Sequence, residues 1–152
     1  MKTSAFTKAA VLAASLVAGG EAAAASNWTE SAYHACTVGL GNATGTQSGW
    51  RATGGTAVIS CPIQRKLGSA NLNNLYARIK RANGSGAAPF CTLTSYNNYS
   101  TATSSKSKFA SAGAGNKSLS LPLPTIYYSG YLGLVCVLNS NDVLYGYRWG
   151  QD

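Results

Sequence analysis

Leu75-Tyr76-Ala77-Arg78-Ile79-Lys80-Arg81 alternates apolar and polar side chains. A strand turns successive side chains to opposite faces, so Leu75, Ala77 and Ile79 share one side while Tyr76, Arg78 and Lys80 share the other. A helix would scatter the same residues around its circumference. The segment reads as a half-buried strand with a solvated basic face, with Arg81 at its end. Asn83-Gly84-Ser85-Gly86 then supplies a turn.

The same two-residue period recurs on both sides. In 55–63 (GTAVISCPI), Ala57, Ile59 and Cys61 fall on one face and Pro62 marks the end of the strand. In 89–96 (PFCTLTSY), Cys91, Leu93 and Ser95 oppose Phe90, Thr92 and Thr94. Leu119, Leu121 and Leu123 form another such run, and Pro122 and Pro124 suit an edge strand. The most apolar run, 131–138 (YLGLVCVL), is expected at the centre of a sheet. After the turn Asn139-Ser140-Asn141-Asp142, 143–149 (VLYGYRW) is expected to place Val143, Tyr145, Tyr147 and Trp149 on one face. Residues 36–40 and 47–52 are weaker strand candidates, and 97–118, rich in Ser, Thr and Asn, is expected to hold one polar strand among loops. Helix signals are nearly absent. Seven to nine short antiparallel strands predict an all-β sandwich, with a small barrel as the alternative.

Residues 1–25 read as a secretory signal peptide. Lys2 and Lys8 precede the apolar stretch 9–18, and Ala22-Ala23-Ala24-Ala25 offers a small-residue cleavage site before Ser26. The apolar stretch is far short of the roughly 20 residues that span a bilayer. Residues 26–152 are then expected to form one secreted domain, extracellular or periplasmic. Ten basic and three acidic side chains remain in it, a net charge of +7 against +8 for the whole chain. Such an excess serves solubility, and it also attracts anionic polymers.

Cys36, Cys61, Cys91 and Cys136 are even in number in a chain bound for an oxidising space, so two disulfides are expected. Four cysteines allow three connectivities. Cys36–Cys61 with Cys91–Cys136 is favoured, because Cys91 and Cys136 lie in strand-like runs that could pair side by side. No two cysteines are close and the histidine is single, which is the wrong spacing for a metal site. The contexts Cys61-Pro62-Ile63-Gln64-Arg65, Cys91-Thr92-Leu93-Thr94-Ser95 and Leu134-Val135-Cys136-Val137-Leu138 resemble small secreted bacterial proteins with no established activity. Lys66, where an acid often follows the arginine, departs from that pattern. The resemblance implies a compact disulfide-bonded β domain and carries no catalytic residue.

Catalysis is poorly supplied. The acids after residue 25 are Glu30, Asp142 and Asp152, too few to expect a facing carboxylate pair. Glu30 and His34 are four residues apart, a spacing that aligns them only on a helix, and this stretch does not read as helical. Asp142 is expected to bond backbone N–H groups of its own turn. No phosphate-binding glycine loop is present, and no cofactor is expected. What remains is recognition. Arg78 and Lys80 beside Tyr76 suit an anionic polymer, with Lys66 nearby, while Tyr96, Tyr99, Tyr127, Tyr128 and Tyr131 suit stacking on a glycan. The leading expectation is a non-enzymatic binding module, and the alternative is a self-assembling structural protein.

Overall fold

The computed structural model describes residues 26–63, 72–125 and 130–151. The signal-peptide reading of 1–25, and Lys66, Tyr127 and Tyr128, lie outside the described residues. The elements are β1 (Ser26–Ser31), α1 (Ala32–Ala35), β2 (Thr37–Leu40), β3 (Ala43–Thr46), β4 (Gly49–Ala52), β5 (Ala57–Ile63), β6 (Leu72–Arg81), β7 (Phe90–Tyr96), β8 (Ala102–Phe109), β9 (Gly115–Leu121), β10 (Tyr131–Leu138) and β11 (Val143–Gln151). They form two antiparallel sheets, one in the order β3-β4-β11-β6-β9 with β1 also on β11, the other β2-β5-β10-β7-β8. The two sheets form an open sandwich and do not close into a barrel.

Alternation does what the sequence promised in β5, β6, β7 and β10. Their inward residues, among them Ile59, Leu75, Ile79, Leu93, Leu134 and Leu138, have no exposed surface and build the core. Each such aliphatic side chain contributes roughly 1.5–3 kcal/mol through burial. The most apolar run is the central strand of its sheet. Both disulfides are present as favoured, Cys36–Cys61 and Cys91–Cys136. Cys91 stands directly opposite Cys136 across the β7–β10 register. Thr37 pairs with Ser60, so Cys36 meets Cys61 one step further along. Each bridge thus joins neighbouring strands of the five-stranded sheet and neither ties one sheet to the other. Two such bridges suit maturation outside the reducing cytoplasm. Among the described residues no helix is long and apolar enough to cross a membrane.

Four features depart from expectation. The described residues hold eleven strands, because β1 and β3 fall where no strand was expected, while β8 is the polar strand of 97–118 and β9 starts earlier than the Leu119–Leu123 run, at Gly115. β8 is exposed on both of its faces, so it has no hydrophobic period to read. Its pairing with β7 includes hydroxyl contacts, Thr92–Ser107 at 2.8 Å and Thr94–Ser105 at 3.0 Å. Pro62 lies within β5 rather than ending it. In β11 the register shifts between Leu144 and Gly146, and one extra residue reverses the facing of the residues from Gly146 to Trp149. Leu144, Tyr147 and Trp149 therefore point into the core, while Val143 shares the opposite face with Arg51 and Lys80. Finally, one helical turn, α1, occupies Ala32–Ala35. It packs where β1 crosses close to β11: a Cβ on Gly146 would collide with the Glu30 carbonyl, so only glycine fits.

Candidate functional site

The outer face of the six-stranded sheet is built by register. Thr44 lies beside Arg51, Arg51 beside Val143, Val143 beside Lys80, and Lys80 beside Asn116. Arg78 sits two residues from Lys80, between Gly146 and Ser118. In the next row Tyr76 stands between Arg148 and Ser120. Strand geometry separates Arg78 from Lys80 by about 7 Å, and Lys80 from Arg51, two strands away, by about 10 Å. Arg51, Arg78, Lys80 and Arg148 are all exposed, and Tyr76 is half-buried. The described carboxylates are elsewhere. Glu30 pairs in register with inward-facing Tyr147, and Asp142 is buried. Four cations thus share one face with hydroxyl and amide neighbours and no described acid.

The sequence pointed to Tyr76, Arg78 and Lys80, and the structure keeps them together. It missed Arg51 and Arg148. Arg148 was legible, since it alternates with Tyr147 and Trp149; Arg51 sits in a four-residue strand too short for its period to stand out. Arg81 is a correction. Its place after Ile79 by two turns it inward, and it is only 4% exposed. Its guanidinium donates to the carbonyls of Ser111 at 3.1 Å and Gly86 at 2.9 Å. It fastens two loops and is not part of the basic face.

Two of the glycan-stacking candidates, Tyr96 and Tyr131, fall on the other sheet. Tyr96 and Tyr131 are register partners on the outer face of the five-stranded sheet, their rings stacked at 4.9 Å and 11°. The Tyr96 ring also covers Gly133, where a Cβ would come within 3.1 Å of it. Tyr99 projects from the β7–β8 turn, which Asn97 fixes by accepting from the Tyr99 and Thr101 amides, both at 3.0 Å. Tyr96 and Tyr131 therefore occupy the outer face opposite the one that carries Tyr76, Arg78 and Lys80. The two groups do not form one site.

A cavity of about 330 Å³ is lined by Glu30, His34, Ala35, Pro62, Tyr147 and Trp149. Here the structure corrects the sequence reading, because the turn α1 brings Glu30 and His34 to one cavity. The Tyr147 hydroxyl donates to the Pro62 carbonyl at 2.8 Å. Burial, with the nearby Glu30 charge, pushes its pKa up to about 12. It is a neutral phenol engaged in a structural hydrogen bond. His34 is exposed and meets the Tyr33 ring edge-on at 5.2 Å. Among the described residues the lining holds no Ser, Thr or Cys for the imidazole to activate. Asp142 is taken up structurally, accepting from the Ala82 amide at 2.8 Å and the Asn139 amide at 3.0 Å. Among the described residues no three His, Cys, Asp or Glu side chains gather to hold a metal ion. Comparison with protein-family models, with curated proteins and with solved structures finds no match.

Proposed function

We propose that this protein is a secreted, non-enzymatic binding module that takes an extended acidic polysaccharide along the outer face of its six-stranded sheet. One observation carries the reading: Arg51, Arg78, Lys80 and Arg148 are exposed on that face in adjoining register rows, with no described carboxylate among them. A twisted sheet face presents these charges as an array, which suits an extended polyanion better than a compact ligand. Thr44, Asn116, Ser118 and Ser120 are exposed around the cations and can hydrogen-bond sugar hydroxyls. A single-stranded nucleic acid asks for exposed aromatic platforms between the charges. The ring in this array, Tyr76, is half-buried, and this favours the glycan.

The test is binding of the oxidised protein to fluorescent heparin, to a polyuronate and to single-stranded DNA at several salt concentrations. Four displaced counterions predict a slope of log K against log salt of about −3, so affinity drops roughly 50-fold between 50 and 200 mM salt. Arg78→Glu with Lys80→Glu should abolish binding to the acidic glycans. Unchanged glycan binding in that variant would remove the reading, and so would a preference for DNA over both glycans.

A further inference from the structure

The outer face of the five-stranded sheet carries no charged side chain among the described residues. Its register instead draws an apolar row across all five strands: Leu40 beside Val58, Val58 beside Val137, Val137 beside Phe90, and Phe90 beside Phe109. At about 4.8 Å per strand the row is roughly 19 Å long. Its ends are open to water, Leu40 at 71% and Phe109 at 60% exposure. Alongside it runs a row of small uncharged side chains centred on Val135. Five large apolar side chains in line on a solvated sheet face, two of them strongly exposed, form a surface that a partner can cover.

We propose that this face is the interface between two copies of this chain. Two observations choose the occupant and a third sets the strength of the contact. The first is charge. The exposed cations Arg51, Arg78, Lys80 and Arg148 lie on the opposite side of the sandwich, so joining two uncharged faces keeps the basic faces outermost and farthest apart. The second is the order of the row around Val137. A twofold axis along the strands at Val137 sets Leu40 against the partner subunit's Phe109 and Val58 against the partner subunit's Phe90, smaller against larger, so the row complements itself as an isologous contact requires. The third is size. Five strands of about seven residues give a footprint near 500 Å², below the roughly 800 Å² per partner of a standard interface, so the dimer is reversible rather than obligate.

The edge of the same sheet turns association toward the face. Lys106 and Lys108 stand in register with Leu93 and Cys91, on the inward-pointing side of β8, yet both are exposed. Charges placed there disfavour pairing of β8 with another strand. The outcome is a closed dimer, not a fibre.

The experiment is sedimentation equilibrium of the oxidised protein across the widest accessible concentration range. The wild type should pass from monomer to dimer. Leu40→Glu and Phe109→Lys should each raise the dissociation constant by about tenfold or more, since each would bury an unpaired charge. The double variant Leu40→Glu/Phe109→Lys should recover much of the dimer by pairing the new charges across the axis. Both positions are solvent-exposed, and near-UV circular dichroism checks that each variant is folded. A wild type that stays monomeric, single variants that dimerise normally, a double variant that stays dissociated, or open-ended oligomers would each overturn the proposal. Arg78→Glu/Lys80→Glu should leave dimerisation intact while losing polysaccharide binding, so the two readings fail separately.

Discussion

Removing the Cys91–Cys136 bridge should cost more stability than removing Cys36–Cys61, and the difference arises from where the cysteines fall in the chain. The bridges close segments with sequence separations of 45 and 25 residues. Restricting the unfolded chain by those loops corresponds to about 4.0 and about 3.5 kcal/mol respectively. The native side of the balance is nearly the same for both, because each bridge lies within one sheet and all four cysteines are buried. β7 and β10 remain paired on either side of Cys91, through Thr92–Val135 and Phe90–Val137, so either single loss should leave the register intact. The two loops do not overlap in sequence, and their contributions should add. Losing both approaches the 5–15 kcal/mol that a domain commonly has in total. In urea, with m near 2 kcal/mol per M, the midpoint of Cys91→Ala/Cys136→Ala should fall by about 2 M. The four-alanine variant should be largely unfolded at 37 °C. If the Cys91–Cys136 loss costs under about 1 kcal/mol, chain restriction is not how the bridge stabilises this fold. A larger cost for Cys36–Cys61 would refute the loop-length argument as well.

Other outcomes depend on the buried polar groups. Tyr147 keeps its proton to about 12 when folded, against 10.0 for the free phenol. Below pH 10 both states are protonated and the group adds no pH dependence. Between pH 10 and 12 only the unfolded state loses the proton. Folding is therefore weakened as pH rises, by on the order of 2–3 kcal/mol in all. Urea midpoints at pH 9 and pH 11.5 should show this loss, and Tyr147→Phe should remove most of it at the expense of the bond to Pro62. Asp142→Ala leaves the Ala82 and Asn139 amides without their acceptor and should cost about 2–4 kcal/mol, read from thermal unfolding, with Asp142→Asn milder. Replacing Lys106 and Lys108 by valine should leave the folded stability nearly unchanged. It should promote thioflavin-positive aggregation on prolonged incubation, because the β8 edge would lose its charges.

The parts of this fold legible in the sequence are those where one side of a strand is buried. β6 shows why: the core demands Leu75, Ala77 and Ile79 at every second position, and water takes what lies between. β8 obeys no such demand. Both of its sides are solvated, its state is imposed by hydrogen bonding to β7, and propensity alone leaves Ser and Thr ambiguous between strand and loop. The bulge in β11 is hidden for another reason. A single inserted residue leaves composition untouched while exchanging inside for outside, so Val143 and Tyr147 cannot be assigned to faces without their partners. Arg81 carried a legible signal that its charge concealed. Parity alone placed it inward, and the carbonyls of Ser111 and Gly86 that satisfy it come from loops no local pattern would bring together. The one-turn helix at Ala32–Ala35 is below the length at which helical periodicity can be read at all.

The site is subject to the same logic at one remove. Alternation within β6 was enough to find Arg78 and Lys80, because both belong to one strand. Joining them to Arg51 and Arg148 requires strand order, and strand order here runs β4-β11-β6, which brings together three strands well separated in the chain. A charged face of a sheet is therefore a non-local object even when each of its residues is locally legible. The converse holds for the tyrosines. Tyr76 and Tyr96 look alike in sequence, each on a strand with polar neighbours, yet sheet assignment sends them to opposite sides of the sandwich. Of the two described carboxylates, Asp142 holds backbone amides and Glu30 points away from the cations, so the positive field of the outer face is uncompensated by any described acid on that face. The separation is physical in origin. Among the described residues one sheet turns out to water the cations that the core cannot take and the other turns out uncharged residues, which gives the sandwich two outer surfaces of opposite character.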